Sequence, residues 1–399
     1  MARLDTVPRA LVAGAGIAGL SAALALARSG YEAIVFERAK QLAEFGAGLQ
    51  ITPNASRILR KLGVLEAALY FGTEPKAVVI RRGSDDAELS RLPLADAGAR
   101  WGAPYFIIHR ADLQRALAES CQATAGVDLR LGFEVAGVAE TPTGVSLGLK
   151  RGLLAIQENG DFAIGADGLR SRLRERIGFG KPEEVTFSGR VAFRATVPAR
   201  ALPATFSAPL VNLRLGGRAH LVHYPLRNGS VVNIVATIEA GWRGTPGEAP
   251  WDGEADLDAL KRAFASWSRE SRDLLAQAEG WRAWPLYVRP PIATYASGRV
   301  ALVGDAAHPM VPFLAQGAGQ AIEDAGALAR CLEGAADIPA ALAAYSASRA
   351  LRAGRVQRDA LSQARIYHMS GPLALARDLT MRALGPERLL QRYDWIYSA

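Results

Sequence analysis

Three glycines near the start of the chain have the spacing of a phosphate-binding turn, Gly14-x-Gly16-x-x-Gly19. The first glycine permits a tight turn, the second lets the backbone approach a pyrophosphate, and the third lets the following helix pack closely. Glu37 follows Gly19 at close to the spacing of roughly 20 residues expected for a carboxylate that binds ribose hydroxyls. These four residues predict a dinucleotide-binding site.

A strand, a helix and a second strand must position these residues. Residues 10–13 are an apolar strand, residues 20–28 an alanine- and leucine-rich helix, and residues 33–36 a strand that ends at Glu37. The helix directs free N–H groups and a partial positive charge toward the phosphates. In a chain with 40 glycines, an ordinary glycine-rich turn is the alternative. The motif alone leaves FAD and NAD equal candidates, whereas a carboxylate at Glu37 disfavours the 2′-phosphate of NADP.

Two more carboxylates each follow an apolar strand, in Asp167-Gly168 and in Gly304-Asp305. Because the carboxyl ends of parallel strands line one crevice, we expect both carboxylates to lie beside the Gly14 turn. We expect Asp305, together with the glycine-rich helix start at residues 312–320, to supply the ribityl and second-phosphate contacts that a flavin needs.

A second layer with two histidines is predicted between residues 185 and 287. Its strand-like runs are joined by Gly216-Gly217 and Asn228-Gly229, which favour hairpin turns, so we expect an antiparallel sheet inserted in the first domain. Successive residues of a strand point to opposite faces, so at most one of His223 and Tyr224 faces a given pocket. No third ligand accompanies the two histidines of this strand, and we predict no metal site.

The composition describes a globular protein with 399 residues, 50% of them hydrophobic, and a formal net charge of +8. Its arginines are scattered and its aromatic content is only 7%, which favours anionic cofactors and a small acidic substrate over nucleic acid. Cys121 and Cys331 are unclustered, as is typical of a reducing compartment. With neither a secretion signal nor an apolar run of about 18 residues, we expect a cytoplasmic protein without a membrane segment.

Two further segments have open interpretations. The glycine-rich loop at residues 44–55, which includes Gly48 and Gln50, is either a second close approach of backbone to ligand or a plain connection. Arg110, at a strand end, is either a phosphate or ribose contact or a solvated surface arginine.

Taken together, the three motifs resemble those of single-component FAD-dependent aromatic hydroxylases of the para-hydroxybenzoate hydroxylase fold, over nearly the whole chain. In that family the first motif binds the ADP part of FAD. The Asp-Gly motif serves both flavin and NAD(P)H, and the Gly-Asp motif holds the ribityl chain. The resemblance implies that Glu37 and Arg110 contact the adenosine half, with Val135 near the adenine. Asp305 and Ala318 would hold the flavin side.

The cofactor-binding residues implied in this way are Gly14, Gly16, Ala18, Gly19, Glu37, Arg38, Gly48, Arg110, Val135, Asp167, Gly168, Asp305, Pro312, Gly317, Ala318 and Gly319. The implied fold is α/β, with a Rossmann-like FAD-binding domain built on a parallel sheet, an inserted antiparallel-sheet substrate domain and a helical C-terminal region. The boundaries expected are 1–75, 100–180 and 285–335 for the FAD domain, 76–99 and 181–284 for the substrate domain, and 336–399 for the helical region.

Within the family, the chain is most similar to the salicylate, 3-hydroxybenzoate and 6-hydroxynicotinate hydroxylase branch. There a His or Tyr at the place of His223 is assigned as the base for the substrate hydroxyl, and His223 and Gln50 are the catalytic residues that the resemblance implies. The alternatives are that His223 is a hydrogen-bond donor that orients the substrate, or that it is a structural histidine. The hydroxynicotinate enzyme has a histidine at the place of Gln50, so the glutamine here weakens the case for that substrate.

The implied reaction is reduction of bound FAD by NADH or NADPH, addition of O₂ to give a C4a-hydroperoxide, and transfer of OH to a small phenolic or hydroxypyridine acid. An ionised phenol is the better nucleophile, so a base near the hydroxyl accelerates the transfer. The choice between NADH and NADPH, the aromatic acid, and a monomer or homodimer stay open. The rival interpretations are an NAD-dependent dehydrogenase, a flavin epoxidase of a larger metabolite, and a non-catalytic flavin-binding redox module.

Overall fold

The computed structural model describes residues 7–42, 48–181, 184–242, 253–254 and 256–398. The strands are β1 (Arg9–Ala13), β2 (Glu32–Glu37), β3 (Gly48–Ile51), β4 (Ala77–Arg82), β5 (Glu88–Pro93), β6 (Phe106–His109), β7 (Val127–Leu131), β8 (Glu134–Thr141), β9 (Gly144–Arg151), β10 (Leu154–Gly160), β11 (Phe162–Gly165), β12 (Thr186–Pro198), β13 (Leu210–Gly216), β14 (Ala219–Leu226), β15 (Val231–Glu239), β16 (Gly253–Glu254), β17 (Arg282–Val288), β18 (Ala296–Ser297) and β19 (Val300–Leu302). The helices are α1 (Ile17–Arg28), α2 (Pro53–Lys61), α3 (Leu65–Phe71), α4 (Ala97–Trp101), α5 (Arg110–Ala123), α6 (Arg172–Arg176), α7 (Leu257–Ala263), α8 (Arg269–Ala276), α9 (Gly317–Leu332), α10 (Ile338–Tyr367), α11 (Gly371–Gln391) and α12 (Asp394–Tyr397).

The amino-terminal motif lies on a six-stranded sheet with the order β18-β19-β11-β1-β2-β7. Every neighbouring pair except β18 with β19 is parallel. The central strand β1 is almost wholly apolar, and Leu11 and Val12 are fully buried, as expected of a strand covered on both sides. Helix α1 and strand β10, of the three-stranded sheet β10-β9-β8, both contact β1, while α5 and α9 pack on α1.

The second large sheet has eight strands in the order β16-β17-β12-β15-β14-β13-β4-β5. Its hairpins are antiparallel, as predicted, but β4 pairs with β13 in parallel, through the register Val79 with Asn212. The chain reaches β13 from β4 only after crossing the first domain, and this long connection permits a parallel pair. A two-stranded sheet, β3 with β6, lies beside β14.

The two faces of the eight-stranded sheet belong to different apolar clusters. Leu221 and Ile234 face one cluster, with Phe264 and Trp267. Leu213 faces the other, to which α11 and α12 contribute. Alternation along each strand therefore decides which cluster a side chain joins.

The chain is helical from α9 onward, and α11 has a kink at Gly385, where φ is 72° before Pro386. The expected α/β fold with a parallel sheet, an antiparallel sheet and a helical C-terminal region is thereby confirmed. The domain boundaries stay predictions, and β17 runs across position 284. Within the described ranges, every helix is too short or too polar to cross a membrane.

Candidate active site

The predicted glycine turn joins β1 to α1. Gly14 has φ of +105°, and an added Cβ would lie 2.5 Å from the carbonyl oxygen of Ala166, so the turn packs directly on the backbone after β11. An added Cβ at Gly19 would lie 3.0 Å from the carbonyl carbon of Gly14. A glycine is therefore needed here because α1 packs closely on the turn. At Gly16, the N-cap of α1, an added Cβ would meet no atom within 4 Å. The amino terminus of α1 is thus open to a bound group.

The other two motifs end at the same place. Strands β1, β11 and β19 are parallel neighbours, so their carboxyl ends lie side by side. Gly304 has φ of +59°, and an added Cβ would lie 2.7 Å from the Cβ of Ala18. The predicted convergence of the Gly14 turn with Asp167 and Asp305 is confirmed.

Glu37 has a contact that its spacing did not suggest. Its Oε2 accepts a hydrogen bond of 2.9 Å from the backbone N–H of Ala15, and its Oε1 accepts one of 2.9 Å from Ala39. The carboxylate therefore fixes the glycine turn itself. Its predicted contact with ribose hydroxyls stays a prediction.

The two carboxylate oxygens of Asp167 differ in their contacts. Its Oδ2 accepts bonds from the N–H groups of Arg172 at 2.8 Å and Leu173 at 3.2 Å, at the start of α6. Its Oδ1 is buried without a hydrogen-bond partner among the described residues. Burial raises the pKa of this carboxyl, although its hydrogen bonds act in the opposite direction. The neighbouring Gly168 has φ of +80° and open space at its Cβ position.

Asp305 and Arg110 act on each other electrostatically. Burial raises the pKa of Asp305, while the charges of Arg110 and His308 oppose that rise. Asp305 is surrounded by protein atoms that desolvate its carboxyl but still has surface open to solvent, and Arg110, the first residue of α5, is exposed as well. Arg110 therefore lies near Asp305, beyond the end of β19, close enough for the two charges to interact.

Arg174 ties the second motif to the third. Its buried guanidinium donates to the carbonyls of Ala306 at 3.2 Å and Ala307 at 3.1 Å. Burial lowers the pKa of Arg174 to about 10, and it is the largest cause of that shift. The basic residue that follows Asp167-Gly168 thus holds the loop that carries Asp305.

The remaining predicted cofactor residues lie at the edges of the same region. Gly317–Gly319, with Ala318 between the glycines, begins α9, and an added Cβ at Gly317 would meet no atom within 4 Å. Pro312 is exposed at the start of a short 3₁₀ turn. Arg38 is exposed just after β2, and Val135 is half-buried on β8. Their contacts with a cofactor stay predictions.

The predicted loop at 44–55 is described only from Gly48 onward, and positions 44–47 lie outside the described residues. The N–H of Gly48 donates to Asn233 Oδ1 at 3.0 Å. An added Cβ would lie 2.8 Å from the hydroxyl of Tyr224. The close approach that this glycine permits in the structure is therefore to a side chain of β14.

A cavity of about 100 Å³ lies against the eight-stranded sheet beside the flavin motifs. The turn after Asp305 contributes Pro312 and Phe313, and β14 contributes His220 and Val222. The side chains with polar groups that line it are Gln50, Tyr105, His220, Tyr367, Tyr393 and Tyr397. Tyr105 donates to Gln50 Oε1 at 2.5 Å, so the predicted catalytic Gln50 is held in the cavity wall by a residue that sequence reasoning missed.

The structure does not place His223, the predicted base, at this cavity, because its ring lies on the other face of β14. Arg214 Nη1 lies 3.0 Å from His223 Nδ1, and the Phe206 ring is 5.2 Å from the histidine ring. Burial, and then the charges of Arg214 and Arg81, lower its pKa well below the ordinary value. His223 is a structural histidine in this arrangement.

His220 is the histidine that lines the cavity. The register pairs it with Leu215, whose neighbours on the same face also line the cavity. Its Nδ1 lies 2.8 Å from His368 Nε2, which leaves Nε2 for a molecule in the cavity. Burial, and then the charges of His368 and Arg190, lower the pKa of His220 well below the ordinary value, so the ring is neutral. The sequence contained one signal for His220: it is four residues from Tyr224 and therefore shares a strand face with it.

Residues of the described chain fit FAD at the convergence of the three motifs. Asp167 has a buried oxygen without a partner, and the open positions at Gly16 and Gly317 leave two helix amino termini accessible. Such termini bind phosphate groups through free N–H groups and the helix dipole. The turn after Asp305, which precedes the amino terminus of α9, also lines the cavity, so the residues that would hold FAD lie next to it. No cluster of three or more metal-ligating side chains was found in the described part of the chain.

Comparison with known proteins gives the same assignment. Residues 8–360 match the family model described as FAD binding domain. The chain is 37% identical to 3-hydroxybenzoate 6-hydroxylase 1 of Aquipseudomonas alcaligenes, over 97% of this chain and 96% of that protein. It is 39% identical to 3-amino-4-hydroxybenzoate 2-monooxygenase PtmB3 of Streptomyces platensis, over 98% and 96%. A salicylate hydroxylase substrate complex has a TM-score of 0.84 and 27% identity, covering 99% of this chain and 96% of that chain. The chain therefore belongs to the FAD binding domain family, among its FAD-dependent aromatic hydroxylases, as the three motifs predicted.

Proposed function

We propose that this monooxygenase hydroxylates a single-ring aromatic acid that carries a ring hydroxyl, with NAD(P)H and O₂ as co-substrates and His220 as the base. The observation that carries the proposal is the shared wall between cofactor site and cavity. The turn at Pro312–Leu314 follows Asp305 and precedes α9, and it also lines the cavity that His220 faces. An aromatic ring in the cavity would lie next to the flavin site.

The size of the cavity supports a small substrate. Its volume of about 100 Å³ is of the same order as an engineered cavity of about 150 Å³ that binds benzene. Most of its lining is apolar, with a few polar groups that converge, as is typical of small-molecule sites. A larger secondary metabolite, the substrate expected of an epoxidase, would need a wider site.

The carboxylate of such an acid would be bound by hydroxyl groups. No charged side chain lines the cavity in the part of the chain that the structure describes. Burial raises the pKa of Tyr393 and that of Tyr397, so both hydroxyls stay neutral hydrogen-bond donors. By their names, two of the relatives act on 3-hydroxybenzoate and 3-amino-4-hydroxybenzoate, both of which combine a carboxylate with a ring hydroxyl.

The protein residues act on the substrate proton and on its surroundings. Bound FAD, once reduced by a nicotinamide cofactor, supplies the activation of O₂. The neutral Nε2 of His220 accepts the proton of the ring hydroxyl, which makes the ring more electron-rich. The apolar walls of β4, β5 and β13 exclude water from the ring.

The test is a panel of 3-hydroxybenzoate, salicylate, 3-amino-4-hydroxybenzoate and 6-hydroxynicotinate with the FAD-loaded protein. We expect at least one acid to stimulate NADH or NADPH oxidation and to yield a product heavier by one oxygen in mass spectrometry. Oxidation without hydroxylated product would indicate uncoupling rather than activity. If no acid of this class perturbs the flavin spectrum or is hydroxylated, the proposed substrate class is wrong.

A further inference from the structure

The ring of His220 is the inner end of a chain of three titratable side chains that leads out of the cavity. His220 Nδ1 lies 2.8 Å from His368 Nε2, and His368 Nδ1 lies 3.2 Å from Glu239 Oε1. We propose that His368 and Glu239 relay the substrate proton between His220 and the protein surface. This inference rests on the proposed role of His220 as the base.

The three hydrogen-bonded side chains have one consistent arrangement of their N–H hydrogens. Glu239 is an acceptor when ionised, so His368 donates to it from Nδ1 and accepts at Nε2. His220 then donates from Nδ1 and has an unprotonated Nε2 toward the cavity. When Nε2 takes the proton of the substrate hydroxyl, the Nδ1 proton of His220 passes to His368. The Nδ1 proton of His368 passes to Glu239, and the carboxyl group releases a proton to water.

The outer end of the chain reaches solvent. The Glu239 side chain is 28% exposed and lies in a surface groove with Ser188, Gly189 and Arg218, whose side chain is 74% exposed. Arg190 donates to Glu239 Oε1 at 3.0 Å, and Arg218 Nε lies 3.4 Å from Oε2. By contrast, His220 and His368 are 4% and 5% exposed. Of the three side chains, only Glu239 is therefore placed to exchange protons with the water in the groove.

The burial of His220 and His368 explains why a relay is needed. The groups that face the two rings are Arg190 on β12, Arg218 in the β13–β14 turn, Glu239 on β15, Tyr367 on α10 and Arg377 on α11. Burial is the largest cause that lowers the pKa of both histidines, and the nearby arginines lower it further. A proton that stayed on His220 would be disfavoured in this setting, whereas one moved to Glu239 would not create a buried cation.

The two relay residues are placed by separate elements that meet only in the folded chain. His368 is the C-cap of the long helix α10, and its carbonyl accepts a hydrogen bond of 3.0 Å from the N–H of Arg218. Glu239 ends β15, opposite Arg190 of β12. Since neither side chain lines the cavity, both act through His220 as positioning residues rather than as catalytic residues.

The experiment follows proton release when 3-hydroxybenzoate binds to the FAD-loaded protein. Stopped-flow absorbance of a pH indicator reports the released proton, and flavin fluorescence reports binding in the same mixing event. In His368→Gln and Glu239→Gln we expect proton release to slow at least tenfold, with the dissociation constant changed less than threefold. Added imidazole should restore part of the rate in His368→Ala.

His223→Gln is the matched control, because it removes the other histidine of β14 on the face away from the cavity. Proton release in this control should match the wild type. Unchanged release rates in both His368→Gln and Glu239→Gln, with normal binding, would overturn the relay. Glu239→Gln changes a part-exposed side chain without loss of volume, so it serves as the test if the buried His368→Gln variant fails to fold. Failure of every acid of the panel to bind would instead refute the proposed function, and the relay with it.

Discussion

The ring of His220 has one nitrogen engaged by His368 and one left for the cavity, and this arrangement determines what the residue can do. A neutral imidazole accepts one proton at the free nitrogen and can lose another from the engaged one. His223, three residues later, has its Nδ1 next to Arg214 and faces an apolar cluster. Two histidines of one strand therefore have different surroundings, because they lie on opposite faces.

We predict that His220→Gln lowers the rate of hydroxylation by about 10²- to 10⁴-fold, the usual contribution of a general base. FAD binding should be unchanged, because His220 lines the cavity rather than the convergence of the motifs. Steady-state product formation and flavin absorbance measure the two effects. His223→Gln is the control and should retain turnover within a few fold. If the two variants lost activity equally, His220 would not be the base.

At the scale of elements, the cofactor site depends on backbone positions where strands and helices nearly touch. Gly304 follows β19 with φ of +59°, and its missing side chain makes room for Ala18 of α1. Gly168 follows β11 with φ of +80° but has no atom within 4 Å of an added Cβ. The two glycines share the left-handed conformation and differ in whether a side chain would collide.

We predict that Gly304→Ala destabilises the protein by more than the cost of about 1–2 kcal/mol for a left-handed alanine. The extra cost arises because a Cβ 2.7 Å from the Cβ of Ala18 must push α1 and β19 apart. Gly168→Ala should show only the conformational cost. Thermal unfolding of both variants without FAD measures the difference, and equal shifts would show that the contact is relieved without strain.

At the scale of the whole molecule, helix α10 connects the cofactor half, the cavity and the relay. Arg349 donates to Asp324 Oδ1 and to Glu323 Oε2, each at 2.6 Å, on α9. Further along the helix, Tyr367 lines the cavity, and His368 follows it directly. Burial opposes ionisation of Asp324, but the charges of His308 and Arg349 outweigh it and hold the pKa of that carboxyl below its usual value.

We predict that Arg349→Met destabilises the protein by about 3 kcal/mol, the lower end of the cost of breaking a buried ion pair, because it leaves Asp324 with His308 and Glu323 with Arg352 as their remaining partners. The exposed Arg358 of the same helix offers the matched control. Arg358→Met should change stability by no more than about 0.5 kcal/mol. Urea unfolding followed by circular dichroism provides the comparison. A loss in Arg349→Met no larger than in the control would mean that the ion network contributes little.

The pH dependence of stability should report on the buried histidines. Burial, and then the charge of Arg190, lower the pKa of His368 in the folded state to about 4, against about 6.5 in an unfolded chain. Between these values the unfolded chain binds a proton that the folded chain does not, so stability falls as pH drops from about 6.5 to about 4. Below about 4 this contribution no longer changes with pH.

Thermal midpoints of the wild type measured from pH 7 to pH 4 test this prediction. His368→Gln lacks the titrating ring, so its midpoint should fall less steeply over the same range. The midpoint of this variant should still fall with falling pH, because burial lowers the pKa of His220 as well. Parallel curves for the two proteins would show that His368 is protonated alike in the folded and unfolded states.

The sequence by itself determined the cofactor half of this protein. Gly14, Gly16 and Gly19 act within one turn, and Asp167 and Asp305 each follow their own strand, so local spacing was sufficient to find them. The parallel strands then bring these strand ends together. Gly216-Gly217 and Asn228-Gly229 likewise predicted hairpins of the second sheet, because a turn depends on adjacent residues.

Only the tertiary structure decided the substrate half. Alternation along β14 offered two faces, and the packing of Leu221 on one apolar cluster leaves His220 on the cavity face instead of His223. Tyr393, Tyr397 and His368 reach the site from the distant C-terminal helices, and their sequence carries no local pattern for it. The physical reason is that glycine turns and strand ends are set by neighbouring residues. The face of a strand that meets a cavity is set by what packs against it.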